Sequence, residues 1–243
     1  MIKIVGRKPV LEAINSGAEI EVIYVLYGQH GEAINKIFTA AKKRGIKISQ
    51  VSSDKFDRLT KNENTQGVVA VQPSQKFYEL GELIDTSKKS ALPFLLLLDS
   101  IQDPHNLGAI LRSAECAGVD GVIITTNQSA PVNETVEKIS AGAVSYLKLC
   151  KANNLVHTIE QLKKDGFWIV GSHLTEKSKN YTEQDYKMPL ALVVGNEEKG
   201  IRKLVLENCD FVVKIPMQGK IDSLNVSVAT GVLLFEILRQ RLM

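Results

Sequence analysis

The sequence predicts an α/β protein with two domains, and two observations support this prediction. Apolar runs typical of strands alternate with helical patterns along nearly the whole chain, an order that favours sheets covered by helices. One stretch interrupts this pattern, and it contains two polar clusters, at residues 74–76 and 86–90. We therefore expect a first domain over residues 1–72, a linker with a short helix over 73–92, and a second domain over 93–243.

The first domain is predicted to be a compact α/β unit. Helical patterns occupy residues 9–15, 32–44 and 53–59, and strand patterns occupy 21–26, 46–51 and 67–71. The second of these helices carries one apolar face, formed by Ile34, Ile37, Phe38 and Ala41, and Gly45 follows it as a C-cap. A unit of about 70 residues is near the lower limit for an independent domain.

The second domain opens with the continuous apolar run Phe94–Leu98. Such a run is typical of a strand that is covered on both faces, as in a parallel sheet. Further strands are predicted over 121–125, 167–171, 191–194 and 211–215, and helices over 106–117, 132–146, 154–164, 202–208 and 226–242. The alternation predicts an open, mostly parallel sheet with helices on both faces.

Composition sets few limits on function. The 243 residues carry a net charge of +3, which permits a nucleic-acid partner without favouring one. The three cysteines are far apart and form no Cys-x-x-Cys pair, so we expect small buried thiols and no zinc ribbon. The sequence shows no signal-peptide pattern and no apolar run near the ~20 residues that span a bilayer. A cytoplasmic protein without a membrane partner is the expectation.

Several familiar enzyme motifs are absent from the sequence. No Gly-x-Gly-x-x-Gly follows a strand, and neither Gly-x-Ser-x-Gly nor His-Glu-x-x-His occurs. Gly195 and Gly200 have the spacing of a P-loop, but Ile201 and Arg202 stand where Lys and Ser/Thr belong. Nucleotide-dependent dehydrogenases, P-loop NTPases, serine hydrolases and zinc proteases are therefore disfavoured.

A first informative segment runs from Asp99 to Arg112. Asp103 with Pro104, or Asn106 itself, is expected to begin a helix. The buried face of that helix is predicted to consist of Leu107, Ile110, Leu111 and Ala114. Arg112 falls on the opposite side, where the helix alone favours an ordinary solvated arginine over a functional one.

Two further segments end strands with polar loops. Residues 192–201 place an acidic loop with Glu197 after Gly195, which is either an ordinary turn or part of a polar site. Residues 211–229 contain a strand that stops at Pro216, a loop with Gly219, and Ser223-Leu224-Asn225 before an apolar helix. A strand, a loop and a helix N-terminus provide a place for a polar ligand at the carboxyl edge of a sheet. The simpler interpretation is that Ser223 or Asn225 only caps the helix.

In order and spacing, these three segments closely resemble the three signature motifs of the SpoU-type (TrmH-like) RNA ribose 2′-O-methyltransferases of the SPOUT superfamily. Residues 6–13 and 66–70 also resemble the opening and the close of the small substrate-binding domain found in many members. Thr65 departs from the family pattern, because many members have a histidine there. Length and motifs are most similar to the members that methylate a guanosine of 23S ribosomal RNA.

The resemblance implies a catalytic domain with a deep C-terminal trefoil knot, bound S-adenosylmethionine and a homodimer. General folding rules alone would not predict a knot. It implies no metal, because the cofactor supplies an activated methyl group. The implied catalytic residues are Arg112, Asn106, Glu197, Ser223 and Asn225, and the implied cofactor-binding residues are Gly195, Ile215, Met217, Leu224 and Asn225. Arg112 is expected to contact the ribose hydroxyl.

Two alternatives stay open for the function. One is a tRNA 2′-O-methyltransferase of the same family, and the other is a non-catalytic RNA-binding or ribosome-assembly factor. The presence of Asn106, Arg112 and Asn225 favours an enzyme, and the N-terminal domain favours ribosomal RNA; DNA is not an expected partner. The last helix contributes to the dimer prediction because it is more apolar than one sheet face requires, at Val226, Val228, Leu233, Leu234, Ile237 and Leu238.

Overall fold

A computed structural model describes residues 2–60, 65–72, 76–175, 178–221 and 223–243. The chain divides into two compact units, residues 1–74 and 75–243. Of the linker predicted over 73–92, residues 73–75 lie outside the described residues. The remainder of that segment belongs to the second unit.

The first unit is a four-stranded mixed sheet with three helices. Its strands are β1 (Ile2–Val5), β2 (Val22–Leu26), β3 (Lys47–Val51) and β4 (Val68–Gln72), and its helices are α1 (Arg7–Asn15), α2 (Glu32–Lys43) and α3 (Ser53–Thr60). The strand order is β1-β4-β2-β3, in which only β2 and β3 are parallel. The sequence did not predict β1, because its four residues depend on antiparallel pairing with the distant strand β4.

Helix α2 matches its prediction closely. Ile34, Ile37 and Ala41 are buried in the core of this unit, Phe38 packs against it, and Gly45 has a φ of +66° just beyond the helix. A positive φ favours glycine because it has no Cβ. The apolar spacing and the terminating glycine were therefore sufficient to locate this helix.

The two segments named by the family resemblance in this unit lie side by side. The backbone N–H of Gly6 donates to the carbonyl of Val68 at 3.1 Å. Arg7 Nε donates to the carbonyl of Gln66 at 3.0 Å. Thr65, which stands where many members have a histidine, is buried, and its hydroxyl accepts from the Gly67 N–H at 3.2 Å.

The second unit is built on an eight-stranded sheet. Its strands are β5 (Phe77–Tyr78), β6 (Phe94–Asp99), β7 (Gly121–Thr125), β8 (Leu149–Ala152), β9 (Trp168–Ser172), β10 (Lys179–Asn180), β11 (Leu190–Gly195) and β12 (Phe211–Lys214). Its helices are α4 (Leu80–Ser87), α5 (Pro104–Cys116), α6 (Glu134–Ile139), α7 (Leu155–Lys164), α8 (Lys203–Glu207) and α9 (Val226–Leu242). The order is β10-β12-β9-β11-β6-β7-β8-β5, and every described pair is parallel. The predicted parallel α/β sheet is confirmed.

The central strand β6 divides the core of this unit into two layers. Leu96 and Leu98 pack with residues of α5 and α9 on one face, while Leu95 and Leu97 pack with residues of α4 and α7 on the other. All four leucines are fully buried. A continuous apolar run is what a strand covered on both faces requires, so this prediction is confirmed.

Three differences from the predicted elements have local causes. The helix predicted over 132–146 is split into α6 and a short 3₁₀ helix, because Ala141 and Gly142 adopt positive φ values of 52° and 86°. The short strands β5, β8 and β10 were not predicted. The segment 76–92 contains the predicted helix as α4, but it also contributes β5 to the sheet edge and Leu83 and Ile84 to the core. A fragment beginning at Leu92 would therefore lack part of this core.

The trefoil knot implied by the family resemblance stays a prediction. None of the helices that the structure describes is long and apolar enough to cross a membrane.

The three cysteines occupy different environments. Cys150 is buried and Cys209 is partly buried, whereas Cys116 is exposed, so the expectation of a buried thiol is wrong at that position. Cys116 occupies the last position of α5, on the solvent side of that helix. Burial raises the pKa of Cys150 to about 11 and the pKa of Cys209 to about 12.

These environments predict selective thiol chemistry. At about pH 8, Cys116 should react with a thiol reagent while Cys150 and Cys209 stay protonated and inert, because the thiolate is the reactive form. Counting modified thiols by mass spectrometry should give one in the native protein and three after denaturation. In Cys116→Ser the native count should fall to zero. Rapid native labelling of Cys150 or Cys209 would contradict their burial.

Candidate active site

The three polar segments meet at one edge of the second sheet. They follow β6, β11 and β12, which are parallel strands, so their carboxyl ends share an edge. Strands β6 and β11 are direct neighbours, with Asp99 paired to Gly195. The fold therefore brings together residues that are about a hundred positions apart in the sequence.

Helix α5 begins with a cap that leaves Asn106 available. The Asp103 carboxylate accepts from the N–H groups of His105 at 3.1 Å and Asn106 at 3.3 Å, and Pro104 occupies the first helical turn. This settles which residues begin the helix, because Asp103 supplies the cap that stabilises the first turn. The side chain of Asn106 is consequently free to bond elsewhere.

Asn106 links all three segments through its amide. Its Nδ2 donates to Glu197 Oε1 at 2.8 Å, and its Oδ1 accepts from Asn225 Nδ2 at 3.0 Å. Asn225 in turn caps α9, since its Oδ1 accepts from the N–H of Ser227 at 2.9 Å and from that of Val228 at 3.4 Å. We call the hydrogen-bonded series of side chains Glu197–Asn106–Asn225 the amide bridge.

Glu197 is held by a second amide from its own loop. Asn196 Nδ2 donates to Glu197 Oε2 at 3.1 Å and to the carbonyl of Ser100 at 2.9 Å. Both oxygens of the Glu197 carboxylate therefore have a donor, and the side chain nevertheless remains exposed. Its position is fixed while it stays accessible to a ligand.

The loop that carries Glu197 is a tight hairpin. Asn196 and Gly200 exchange two backbone hydrogen bonds of 3.0 and 2.9 Å, and Asn196 Oδ1 accepts from the N–H groups of Glu198 and Lys199. A Cβ on Gly195 would lie 2.1 Å from Gly200 C and Ile201 N. Because both of these atoms belong to the backbone, only glycine fits at the point where β11 enters the hairpin.

An ion pair between a buried carboxylate and a half-exposed arginine supports the far end of this hairpin. Asp99 is fully buried, and its carboxylate accepts from Arg202 Nε at 2.7 Å and from Arg202 N at 2.9 Å. Removing Arg202 would leave the Asp99 carboxylate buried without its charged partner, which is destabilising. Sequence reasoning missed this pair, although an aspartate at the end of a fully apolar strand was an available signal.

One cleft beside the hairpin collects most of the predicted cofactor-binding residues. We call it the apolar cleft; its lining includes Gly195, Ile215, Met217, Ser223 and Leu224. Val194, Val226 and Ala229 add apolar surface, and Glu197 lies at its margin. His173 also lines it and was missed from the sequence. Asn225 is not among the lining residues, because its side chain caps α9 and bonds Asn106.

Arg112 lies apart from this cluster within a single chain. Its position on the polar face of α5 is confirmed, since the side chain is exposed. At six residues beyond Asn106 it is about 9 Å further along the helix axis and roughly 120° around it. It does not line the apolar cleft. Among the described residues it has no hydrogen-bond or ion-pair partner.

A metal site has no evident place here. Within the described ranges, no group of three or more histidine, cysteine, aspartate or glutamate side chains could hold a metal ion. The chemistry at this edge of the sheet is instead that of amides, a carboxylate and exposed backbone groups.

Comparison with known proteins identifies the family. The model of the SpoU rRNA methylase family matches residues 93–235, and the model for RNA 2′-O ribose methyltransferase substrate binding matches residues 3–78. A protein from Staphylococcus haemolyticus that is named as a TrmH family tRNA/rRNA methyltransferase is 39% identical over 241 residues. The match covers 99% of this chain and 96% of that protein. The chain belongs to the SpoU methylase family.

Solved structures of similar SpoU-type proteins span either the whole chain or part of it. An rRNA methyltransferase from Sinorhizobium meliloti, with AdoMet bound, is 28% identical with a TM-score of 0.63, and the match covers 98% of this chain and 86% of that one. A TrmH/SpoU tRNA modifying enzyme from A. aeolicus is 35% identical with a TM-score of 0.58, and the match covers 67% of this chain and 82% of that one.

The close approach of the Gly200 and Ile201 backbone to Gly195 predicts the effect of a substitution there. Gly195→Ala should destabilise the second unit by about 1–3 kcal/mol, because the new methyl group meets rigid backbone. The expected fall in Tm is about 3–10 °C, measured by differential scanning calorimetry. Gly219→Ala is the matched control, since its nearest contact would be at 4.0 Å. Equal Tm values for the two variants would contradict the assigned close approach.

Proposed function

We propose that this chain transfers a methyl group from S-adenosylmethionine to the 2′-hydroxyl of a ribose, with a guanosine of 23S ribosomal RNA as the target. Membership of the SpoU methylase family supports methyl transfer to RNA. The amide bridge is the observation that carries the proposal, because it joins the three motif segments beside a cleft suited to the cofactor.

The apolar cleft is the proposed cofactor site. Its lining combines apolar side chains with backbone groups at Gly195, Ile215 and Leu224, which suit the adenine and ribose of S-adenosylmethionine. Met217 adds side-chain contact, and Asn225 fixes the start of α9 beside it. The AdoMet-bound relative from S. meliloti supports this assignment. When bound, the cofactor supplies a methyl group on a sulfonium centre.

The protein must then position a poor nucleophile: as its O–C bond forms, the S–C bond breaks to leave S-adenosylhomocysteine, and the hydroxyl proton is lost to solvent. A ribose hydroxyl is largely protonated near neutral pH, so alignment and stabilisation of the developing alkoxide are the main contributions. Glu197, held by Asn106 and Asn196, accepts a hydrogen bond from the substrate or from a catalytic arginine. Ser223, which is exposed at the cleft, bonds the adjacent phosphate or that arginine.

Arg112 is proposed to act across a homodimer. Arginine stays charged, so its easier role is to stabilise negative charge on the hydroxyl oxygen. Within one chain it does not line the site, but α5 packs beside α9, where Ser113 faces Gly231. Helix α9 leaves Val228 and Phe235 about half exposed. We propose that this face pairs with a second copy, so that each Arg112 completes the other chain's site.

The apolar face proposed for pairing differs from the one expected from sequence. Four of the named residues, Val226, Leu233, Leu234 and Ile237, are buried within the chain itself. Only Val228 is exposed, and Leu238 is partly buried. The support for a dimer therefore comes from Val228, the partly buried Leu238 and Phe235, the last of which the sequence analysis did not name.

The share of this chain that aligns with each solved structure bears on which RNA is the substrate. The rRNA methyltransferase from S. meliloti aligns with 98% of this chain, whereas the tRNA modifying enzyme from A. aeolicus aligns with 67%. A substrate-binding unit that spans residues 3–78 thus supports ribosomal RNA. The higher identity to the tRNA enzyme, 35% against 28%, is the observation that favours tRNA as the second candidate.

The activity is tested with full-length protein, methyl-labelled S-adenosylmethionine and unmodified 23S rRNA or tRNA transcripts. Label should enter the 23S transcript without added metal, and nuclease digestion followed by mass spectrometry should identify 2′-O-methylguanosine. Label in tRNA alone would support the second candidate. Label on a base, or no label in either RNA, would refute 2′-O-methylation.

The shared site is tested by mixing two inactive variants. Arg112→Ala should fold normally, because exposed substitutions change the free energy of unfolding by within about 0.5 kcal/mol, yet it should lose over nine-tenths of the activity. Glu197→Gln should also be inactive. If Arg112 acts on the other chain, co-expressed mixed dimers contain one intact site, so about a quarter of the wild-type activity should return.

Two outcomes would count against this arrangement. A mixture as inactive as its parents would show that both residues act within one chain. An Arg112→Ala protein with more than a tenth of wild-type activity would remove the arginine from the catalytic group.

A further inference from the structure

A second cleft meets the apolar cleft at the 196–200 hairpin. We call it the polar cleft; its lining includes Ser100, Gln102, Asn106, Gln128, Glu198 and Arg202. Its volume is about 390 Å³, within the range of roughly 300–1,000 Å³ typical of small-molecule sites. We propose that the polar cleft receives the target nucleotide, with Glu198 and Gln128 recognising guanine and Arg202 contacting a phosphate. This inference rests on the proposed function and names its base-binding subsite.

The two clefts share a boundary where methyl transfer would occur. Asn196, Glu197 and Gly200 line both of them. Asn106, which bonds Glu197, lines the polar cleft. A nucleotide in the polar cleft would therefore place its ribose against Asn106 and Glu197, where this cleft meets the proposed cofactor site.

The wall of the polar cleft contains an unusual backbone. Ser100 and Gln128 have φ values of 64° and 57°, and in the described part of the chain only Gln66 and Ala141 are other non-glycine residues with positive φ. Ser100 is held in this conformation because its N–H donates to Thr125 Oγ1 at 3.2 Å and its carbonyl accepts from Asn196. Such backbone conformations concentrate at functional sites, where they aim side chains at ligands.

Glu198 presents an unused carboxylate to this cleft. Its backbone N–H is fixed by Asn196 Oδ1 at 3.0 Å, but the carboxylate has no partner among the described residues. The other two carboxylates of the lining are already engaged: Asp103 caps α5 and Glu197 receives two amides. The amides of Gln102 and Gln128 are likewise without partners in the described ranges.

These unused groups match guanine better than the other bases. Guanine presents two adjacent donors, N1–H and N2–H, and a carboxylate accepts both at once in a charge-assisted pair. The neighbouring O6 accepts from an amide, which Gln128 can provide. Adenine and cytosine carry an acceptor where guanine has N1–H, so a carboxylate repels that edge. Uracil has a single donor, N3–H, between two carbonyl oxygens, so a carboxylate can accept only one hydrogen bond from it.

Arg202 is anchored in a way that leaves its outer nitrogens for a ligand. Its Nε and backbone N are bonded to the buried Asp99, while the side chain remains 51% exposed. No bond to its Nη1 or Nη2 occurs among the described residues. A guanidinium with both terminal –NH2 groups free is suited to a phosphate.

The inference is tested by binding of free nucleotides to the full-length protein. GMP, AMP, CMP and UMP are titrated, with and without S-adenosylhomocysteine, and affinity is measured by ligand-observed NMR. GMP should bind at least tenfold more tightly than AMP or CMP. Glu198→Gln should abolish this preference and Gln128→Ala should weaken it, while Glu160→Gln, an exposed residue of α7, should leave it unchanged. Guanosine should bind more weakly than GMP if Arg202 contacts phosphate.

The outcomes separate this inference from the proposed function. GMP that binds no better than CMP, or a preference that survives Glu198→Gln, would overturn the inference even if methyl transfer is observed. A GMP preference that depends on Glu198 would sustain it even if the RNA assays detect no methyl transfer. Circular dichroism of Glu198→Gln should match the unmodified protein, since Glu198 is exposed on its hairpin.

Discussion

The amide of Asn106 is the interaction on which the candidate site depends. It donates to a carboxylate and accepts from an amide, and a side-chain amide can do both at once with one small planar group. Its orientation follows from its partners, because Glu197 can only accept and Asn225 has its oxygen engaged in capping α9. Asn106 itself is released for this role because Asp103 caps α5. One side chain thus sets the relative position of two helix starts and one hairpin.

The parallel sheet and the hairpin give this bridge its rigidity. Strands β6 and β11 are buried on both faces, and close packing of the core leaves their carboxyl ends little freedom to move. The contact at Gly195 and the Asp99–Arg202 pair then hold both ends of the hairpin. The hairpin is therefore a rigid element at which the two clefts meet, since Asn196, Glu197 and Gly200 line both of them. A transfer reaction requires two ligands to meet in a fixed geometry, because misplacement by about 1 Å can cost roughly a hundredfold in rate.

The sequence was informative wherever a single segment determines its own structure. The run Phe94–Leu98 located β6, and the apolar helix after Asn225 matched α9 from Val226 to Leu242. The strands β5, β8 and β10 escaped prediction, because a two- or four-residue strand is defined by its neighbour and not by its own pattern. The motif residues were located from the family resemblance, but their pairing was not. Asp99 and Arg202 are 103 positions apart, so the aspartate at the end of β6 could indicate a buried carboxylate but not which residue pairs with it.

The exposed position of Arg112 is consistent with a site divided between two chains. A buried guanidinium without a partner would be costly, whereas an exposed one stays hydrated until a substrate or second chain arrives. In the proposed dimer, α9 contributes in two ways: its buried face completes the core through Leu233 and Ile237, and its exposed face carries Val228 and Phe235. Apolar side chains on the exposed as well as the buried face of a helix are typical of a helix that a partner covers. Pairing through this helix would bring α5, and with it Arg112, to the interface, so that catalysis would require assembly.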